Sequence, residues 1–188
     1  MKYIISGTDR PQSNTYQVCQ IIQNLYTQIG AQTEIIDLAK LNLFSQGPQY
    51  GSKEMTEVLH QDVQKVGSSE GLIVVCPEYN GSMPGVLKYF IDHWRYPESF
   101  EFRPVCFIGL GGMFGGLRPV EHLQQVFGYR NSFIYPERIF LINVWKILKD
   151  GAITDPLMMD LLTKQTNGFQ AFCKALQEAK LDALSRRK

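Results

Sequence analysis

Residues Gly71–Trp94 read GLIVVCPEYNGSMPGVLKYFIDHW. Gly71 to Cys76 is a continuous apolar run rather than the alternation of a sheet with one wet face, which marks a central parallel strand covered on both sides. At its carboxyl end, Pro77, Glu78, Tyr79, Asn80, Gly81 and Ser82 form a polar loop. Val86, Leu87, Phe90, Ile91 and Trp94 then recur at helical spacing, behind a Pro84 placed where a first-turn proline is tolerated. Strand, loop and helix thus follow one another directly, and the loop holds no obvious nucleophile, general base or metal-ligand set.

The same alternation extends in both directions. Lys2 to Ser6 predicts a short buried strand and Gly7 to Gln12 a polar turn, followed by a helix carrying Val18, Ile21, Ile22, Leu25, Tyr26 and Ile29. Thr33 to Leu38 predicts a second strand, and Met55, Val58, Leu59, Val63 and Val66 a second helix. The loop between them, Ala39 to Ser52, is long enough to point to a functional edge or a partner contact. Downstream, Arg103 to Leu110 predicts a fourth strand, Gly115 to about Phe127 a fourth helix and Arg138 to Val144 a fifth strand. A last helix from about Asp155 buries Met158, Leu161, Leu162, Phe169, Phe172 and Leu176, and the terminal SRRK is expected to be a solvated or frayed tail.

Alternating strands and helices with right-handed crossovers predict a doubly wound α/β sheet. Five strands suit the flavodoxin-like parallel order 2-1-3-4-5, with helices on both faces and one domain over residues 1–188. In such sheets ligands bind beyond the carboxyl ends of the strands, where the order reverses between strands one and three. The loops after Ser6, Cys76 and Leu110 are therefore the candidate site.

Composition removes several functions. Nineteen basic against eighteen acidic side chains leave a net charge of +1, which offers no general attraction for nucleic acid or an anionic membrane. Cys19, Cys76, Cys106 and Cys173 make no CxxC pair or metal-spaced cluster, and are read as buried thiols of a reducing cytoplasm. No run of eighteen apolar residues predicts a membrane span.

The first loop, SGTDRPQSNTY from Ser6 to Tyr16, combines Gly7 with Thr8, Ser13, Asn14 and Thr15 near a helix N-terminus, where free amides favour an anion. Arg10 adds a delocalised cation suited to phosphate oxygens. The alternative is that Ser13 only caps the helix and Arg10 is solvated. The loop lacks GxxxxGK[ST], so a monophosphate suits it better than a nucleoside triphosphate. GLGGMFGGLR, Gly109 to Arg118, is not a dinucleotide fingerprint, since Phe114 stands where the last glycine belongs and the run follows the fourth strand. Its glycines either let backbone approach a flat ligand or serve a close strand-to-helix crossing. Tyr79 is read as a stacking ring or as core, and His60, His93 and His122 as surface or packing residues.

GTDRPQSNT, PEYNGSMPGVLKYFID and GLGGMFGG together resemble the NAD(P)H-dependent FMN reductases, a family that includes flavodoxin-like quinone, azo-compound and chromate reductases. The resemblance implies FMN as cofactor and NADPH or NADH as donor, with ping-pong transfer to a small acceptor. It places Thr8, Arg10, Ser13, Asn14 and Thr15 around the FMN phosphate. Pro77, Glu78, Tyr79, Asn80, Gly81 and Ser82 fall beside the isoalloxazine, and Gly111, Gly112 and Gly115 near its opposite part. A homodimer or homotetramer is implied as well. Leu110 departs from the family, standing where many relatives have a small hydroxyl residue. Tyr89 and Phe90 replace what is often a polar and a small residue, altering an oligomer contact or the core.

Overall fold

Strands and helices alternate through β1 (Lys2–Ser6), α1 (Asn14–Gln28), β2 (Thr33–Asp37), α2 (Glu57–Ser68), β3 (Leu72–Pro77), α3 (Gly85–Asp92), β4 (Pro104–Gly111) and α4 (Leu117–Gly128). Two short strands follow, β5 (Phe133–Ile134) and β6 (Ile139–Ile142), then the single turn α5 (Val144–Ile147). A small hairpin of β7 (Leu148–Lys149) and β8 (Ala152–Ile153) leads into α6 (Pro156–Glu178). The structure, a computed structural model, describes residues 1–43 and 55–186, so most of the loop read as a functional edge lies outside the described residues.

The main sheet has the order β2-β1-β3-β4-β5, and all its pairings are parallel. Its fifth position differs from the single expected strand. β5 pairs with Pro104 and Val105 at one end of β4, whereas β6 pairs with Ile108 to Gly111 at the other. Pro136 lies between the two segments and has no amide to continue a ladder, so the strand breaks there.

β3 is buried along its length, as its apolar run requires, and its side chains alternate between two cores. Leu72, Val74 and Cys76 join the cluster under α2, α3 and α4. Ile73 and Val75 join the cluster under α1 and α6. Phe90 is fully buried in the first of these, so its departure from the family repacks the core. Near the end of the chain Ala183 N donates to Phe102 O, and the Arg186 guanidinium sits 4.1 Å from the centre of the Phe102 ring. Ser185 and Arg186 are exposed, in keeping with a solvated tail, and residues 187–188 lie outside the described residues.

Candidate functional site

The first loop leaves β1 where the strand order reverses. A Cβ at Gly7 would lie 2.8 Å from the Val75 carbonyl oxygen, so only glycine passes there. Thr8 is fully buried beneath the loop, and its hydroxyl is 2.8 Å from the Tyr79 hydroxyl, tying the first loop to the second. Ser13 caps α1, its Oγ accepting from Tyr16 N at 3.1 Å. No acidic side chain occupies the first turn of α1, and the amides of Asn14 and Thr15 have no partner among the described residues. Arg10 is exposed, and its guanidinium pairs with no acid among the described residues. Ser13 is therefore a helix cap, and the turn it opens keeps donors available for an anion.

The second loop is a tight turn. Tyr79 N donates to Ser82 O at 3.0 Å and Ser82 N to Tyr79 O at 3.1 Å, while Asn80 and Gly81 take φ of 50° and 79°. Two successive positive φ values match a type I′ turn, for which Asn-Gly is the preferred pair. Glu78 N donates to Leu110 O, joining this loop to the third. The Glu78 carboxylate takes a hydrogen bond from Arg118 Nη1 at 2.6 Å, and Ser82 Oγ is 2.8 Å from His122 Nδ1. Cys76, at the strand end below, has its thiol pushed up first by burial and then by the charge of Glu78, which makes it a poor nucleophile.

In the third loop the glycines divide by role. Gly111 and Gly112 face the cavity, and Asn143 N donates to Gly112 O at 3.0 Å. Gly115 is buried beneath β6, where a Cβ would lie 3.0 Å from Ile142 Cγ1. It serves the loop's close crossing and does not line the cavity. Leu110 packs in the core under α1 and α6, which is where its departure from the family pattern leads.

Together the loops enclose a cavity of about 500 Å³. Arg10, Ser13, Asn14 and Thr15 line it from the first loop, Pro77, Glu78 and Tyr79 from the second, and Gly111 and Gly112 from the third. Thr8 and Ser82 are not part of this lining, and Asn80 and Gly81 line an adjoining cavity of about 220 Å³ that shares Glu78 and Gly112. Val144 and Trp145 form a wall that loop spacing does not reveal. Asn143, at φ 48°, turns the chain into α5, and Trp145 then packs on Gly112 while remaining 53% exposed. The signal was positional, since α5 follows a strand that ends at the same edge of the sheet.

The volume lies within the range of small-molecule sites. The lining combines the unpaired Asn14 and Thr15 amides and the Arg10 side chain, groups suited to an anion, with the aromatic Tyr79 and Trp145 and the glycines of the third loop. No set of His, Cys, Asp and Glu suited to a metal occurs among the described residues. An aromatic ring system carrying a phosphate fits this donor set.

Known proteins share the pattern. The sequence model of the family described as NADPH-dependent FMN reductase matches residues 3–146. An NADPH:quinone oxidoreductase of Arabidopsis thaliana is 28% identical over 154 residues, covering 79% of this chain and 78% of that protein. An FMN-dependent NADPH-azoreductase of Staphylococcus saprophyticus is 27% identical over 153 residues, covering 79% and 80%. Among solved structures, the flavoenzyme NAD(P)H:(acceptor) oxidoreductase FerB of Paracoccus denitrificans superposes with a TM-score of 0.72 at 19% identity, covering 93% of this chain and 97% of that one. That last likeness shows the fold.

Proposed function

The chain belongs to the NADPH-dependent FMN reductase family, an FMN-dependent oxidoreductase family, and from that premise we propose that it passes electrons from NADPH or NADH to a small acceptor by a ping-pong mechanism. The acceptor class we favour is a quinone or azo compound, with metal oxyanions or free flavin reacting at the same open cavity. The observation that carries this reading is the cavity itself, in which unpaired α1 amides, Arg10, Tyr79 and Trp145 converge without an acid–base pair or a metal set.

When bound, FMN would supply the redox chemistry that couples oxidation of the nicotinamide to reduction of the acceptor. The protein's part is binding and orientation. Arg10 and the first-turn amides of α1 hold the phosphate, with Ser13, Asn14 and Thr15 beside it and Thr8 supporting the loop from below. Pro77, Glu78, Tyr79, Asn80, Gly81 and Ser82 flank the ring, and Gly111 and Gly112 let backbone approach it. Trp145 offers an exposed apolar face for the nicotinamide or an aromatic acceptor.

Two further features belong to this reading. We take residues 1–188 as one FMN-binding domain, because one main sheet carries a core on each face, and a reducing cytoplasm suits its four free, buried cysteines. A second copy of the chain, in a homo-oligomer, is the occupant we infer for the groove between α3 and α4, about 560 Å³, which is lined by the apolar Ile91, Trp94 and Phe100 and edged by the exposed Tyr96 and Tyr129.

The test is anaerobic mixing of FMN-loaded protein with NADPH, then NADH, while following oxidised-flavin absorbance. Rapid bleaching that a quinone reverses is the expected result. Stable FMN binding without bleaching would instead favour an electron carrier, and failure to take up FMN would sink both readings.

A further inference from the structure

Two side chains one turn apart on α4 reach back to the ends of the second loop. Arg118 Nη1 donates to Glu78 Oε1 at 2.6 Å, and His122 Nδ1 lies 2.8 Å from Ser82 Oγ. Residues four apart stand on one helix face, so a single rigid element holds the loop on both sides of its turn. Between the two anchors, Asn80 and Gly81 occupy positive φ, and their amides have no partner among the described residues. Both residues line the smaller cavity that adjoins the main one. His122 has no place in the cavity lining, so this contact is its visible connection to the site.

We propose that His122 is a positioning residue: through Ser82 it fixes the orientation of the Asn80 and Gly81 amides, and so sets the relative affinity of the site for reduced and oxidised FMN. The inference rests on the FMN reading above. Reduction adds electron density to the flavin ring, and donors held in place favour the electron-richer form without having to reorganise, whereas a turn free to move loses that advantage. The Tyr79–Ser82 bonds close the turn upon itself, and Glu78 N to Leu110 O and the Tyr79–Thr8 hydroxyl contact hold its first side, so the Ser82 side depends on its anchor. Arg118 secures the Glu78 end, and His122 the Ser82 end.

The experiment compares wild type with His122→Ala, His122→Asn, Ser82→Ala and the double variant Ser82→Ala/His122→Ala. FMN is titrated for Kd, and the midpoint potential of bound FMN is measured against reference dyes at one pH. His122 is exposed, so its removal leaves the core intact. We expect His122→Ala to lower the ratio of reduced to oxidised affinity about tenfold, which moves a two-electron potential about 30 mV more negative. His122→Asn restores most of this, because its amide keeps a polar atom near the Nδ1 position. Ser82→Ala gives a similar shift, and the double variant adds little to either single change. An unmoved potential in His122→Ala, even with weaker FMN binding, overturns the proposal, as do additive shifts in the double variant. If wild type takes up no FMN, the functional reading falls and this proposal falls with it. If wild type loads FMN and His122→Ala behaves identically, the proposal alone falls.

Discussion

At the residue scale, the site depends on a few side chains whose roles separate once their surroundings are known. Arg10 is exposed and unpaired with any described acid, so its removal disturbs no packing and, on the proposed reading, subtracts only its part in holding the FMN phosphate. Arg10→Ala is therefore expected to raise the FMN Kd about tenfold, equivalent to about 1.4 kcal/mol, with an unchanged melting temperature. Fluorescence titration of the apoprotein checks this, and an unchanged Kd would count against the phosphate cradle. Tyr79 and Thr8 were legible as candidates, but their mutual hydrogen bond was not, because it joins loops 71 residues apart. Gly115 shows the opposite limit. A glycine-rich run marks close approach without saying whether a ligand or a strand does the approaching, and here β6 does.

At the scale of elements, hydrophobic periodicity locates the helices and the central strands well, since burial on two faces leaves a strong pattern. It fails at the sheet edge. β5 and β6 are short and half-covered, and β7 and β8 turn about Asp150-Gly151, a hairpin signal overlaid on the expected strand-to-helix alternation. Elements are also held by polar contacts that periodicity cannot register. Arg103, entirely buried just before β4, donates to the backbone carbonyls of Gly67, Ser69, Glu98 and Ser99 and to the Ser69 hydroxyl. It fastens the α2–β3 turn to the segment that leads into β4. Arg103→Met keeps much of the volume but strips those carbonyls of their donor, and is expected to cost about 3 kcal/mol in urea unfolding. A loss below about 1 kcal/mol would show that water replaces the guanidinium.

At the scale of the whole molecule, the face between α3 and α4 carries Tyr129, 77% exposed, beside a groove lined by the apolar Ile91, Trp94 and Phe100. A second copy is the occupant we propose, so light scattering should give the mass of a dimer or tetramer, and Tyr129→Glu should reduce it by placing a charge in a desolvated contact. A wild-type monomer mass would contradict this. The sequence alone determined the alternating parallel α/β fold and the three loops that converge on the site, because these follow from local periodicity and from the fixed hand of strand crossovers, and it matched the order of the first four strands. Only the tertiary structure decided that Thr8 supports Tyr79, that Trp145 walls the cavity, and that Arg118 and His122 grip the second loop. Those contacts join residues far apart along the chain, and a side chain's sequence neighbours carry no record of what folding sets against it.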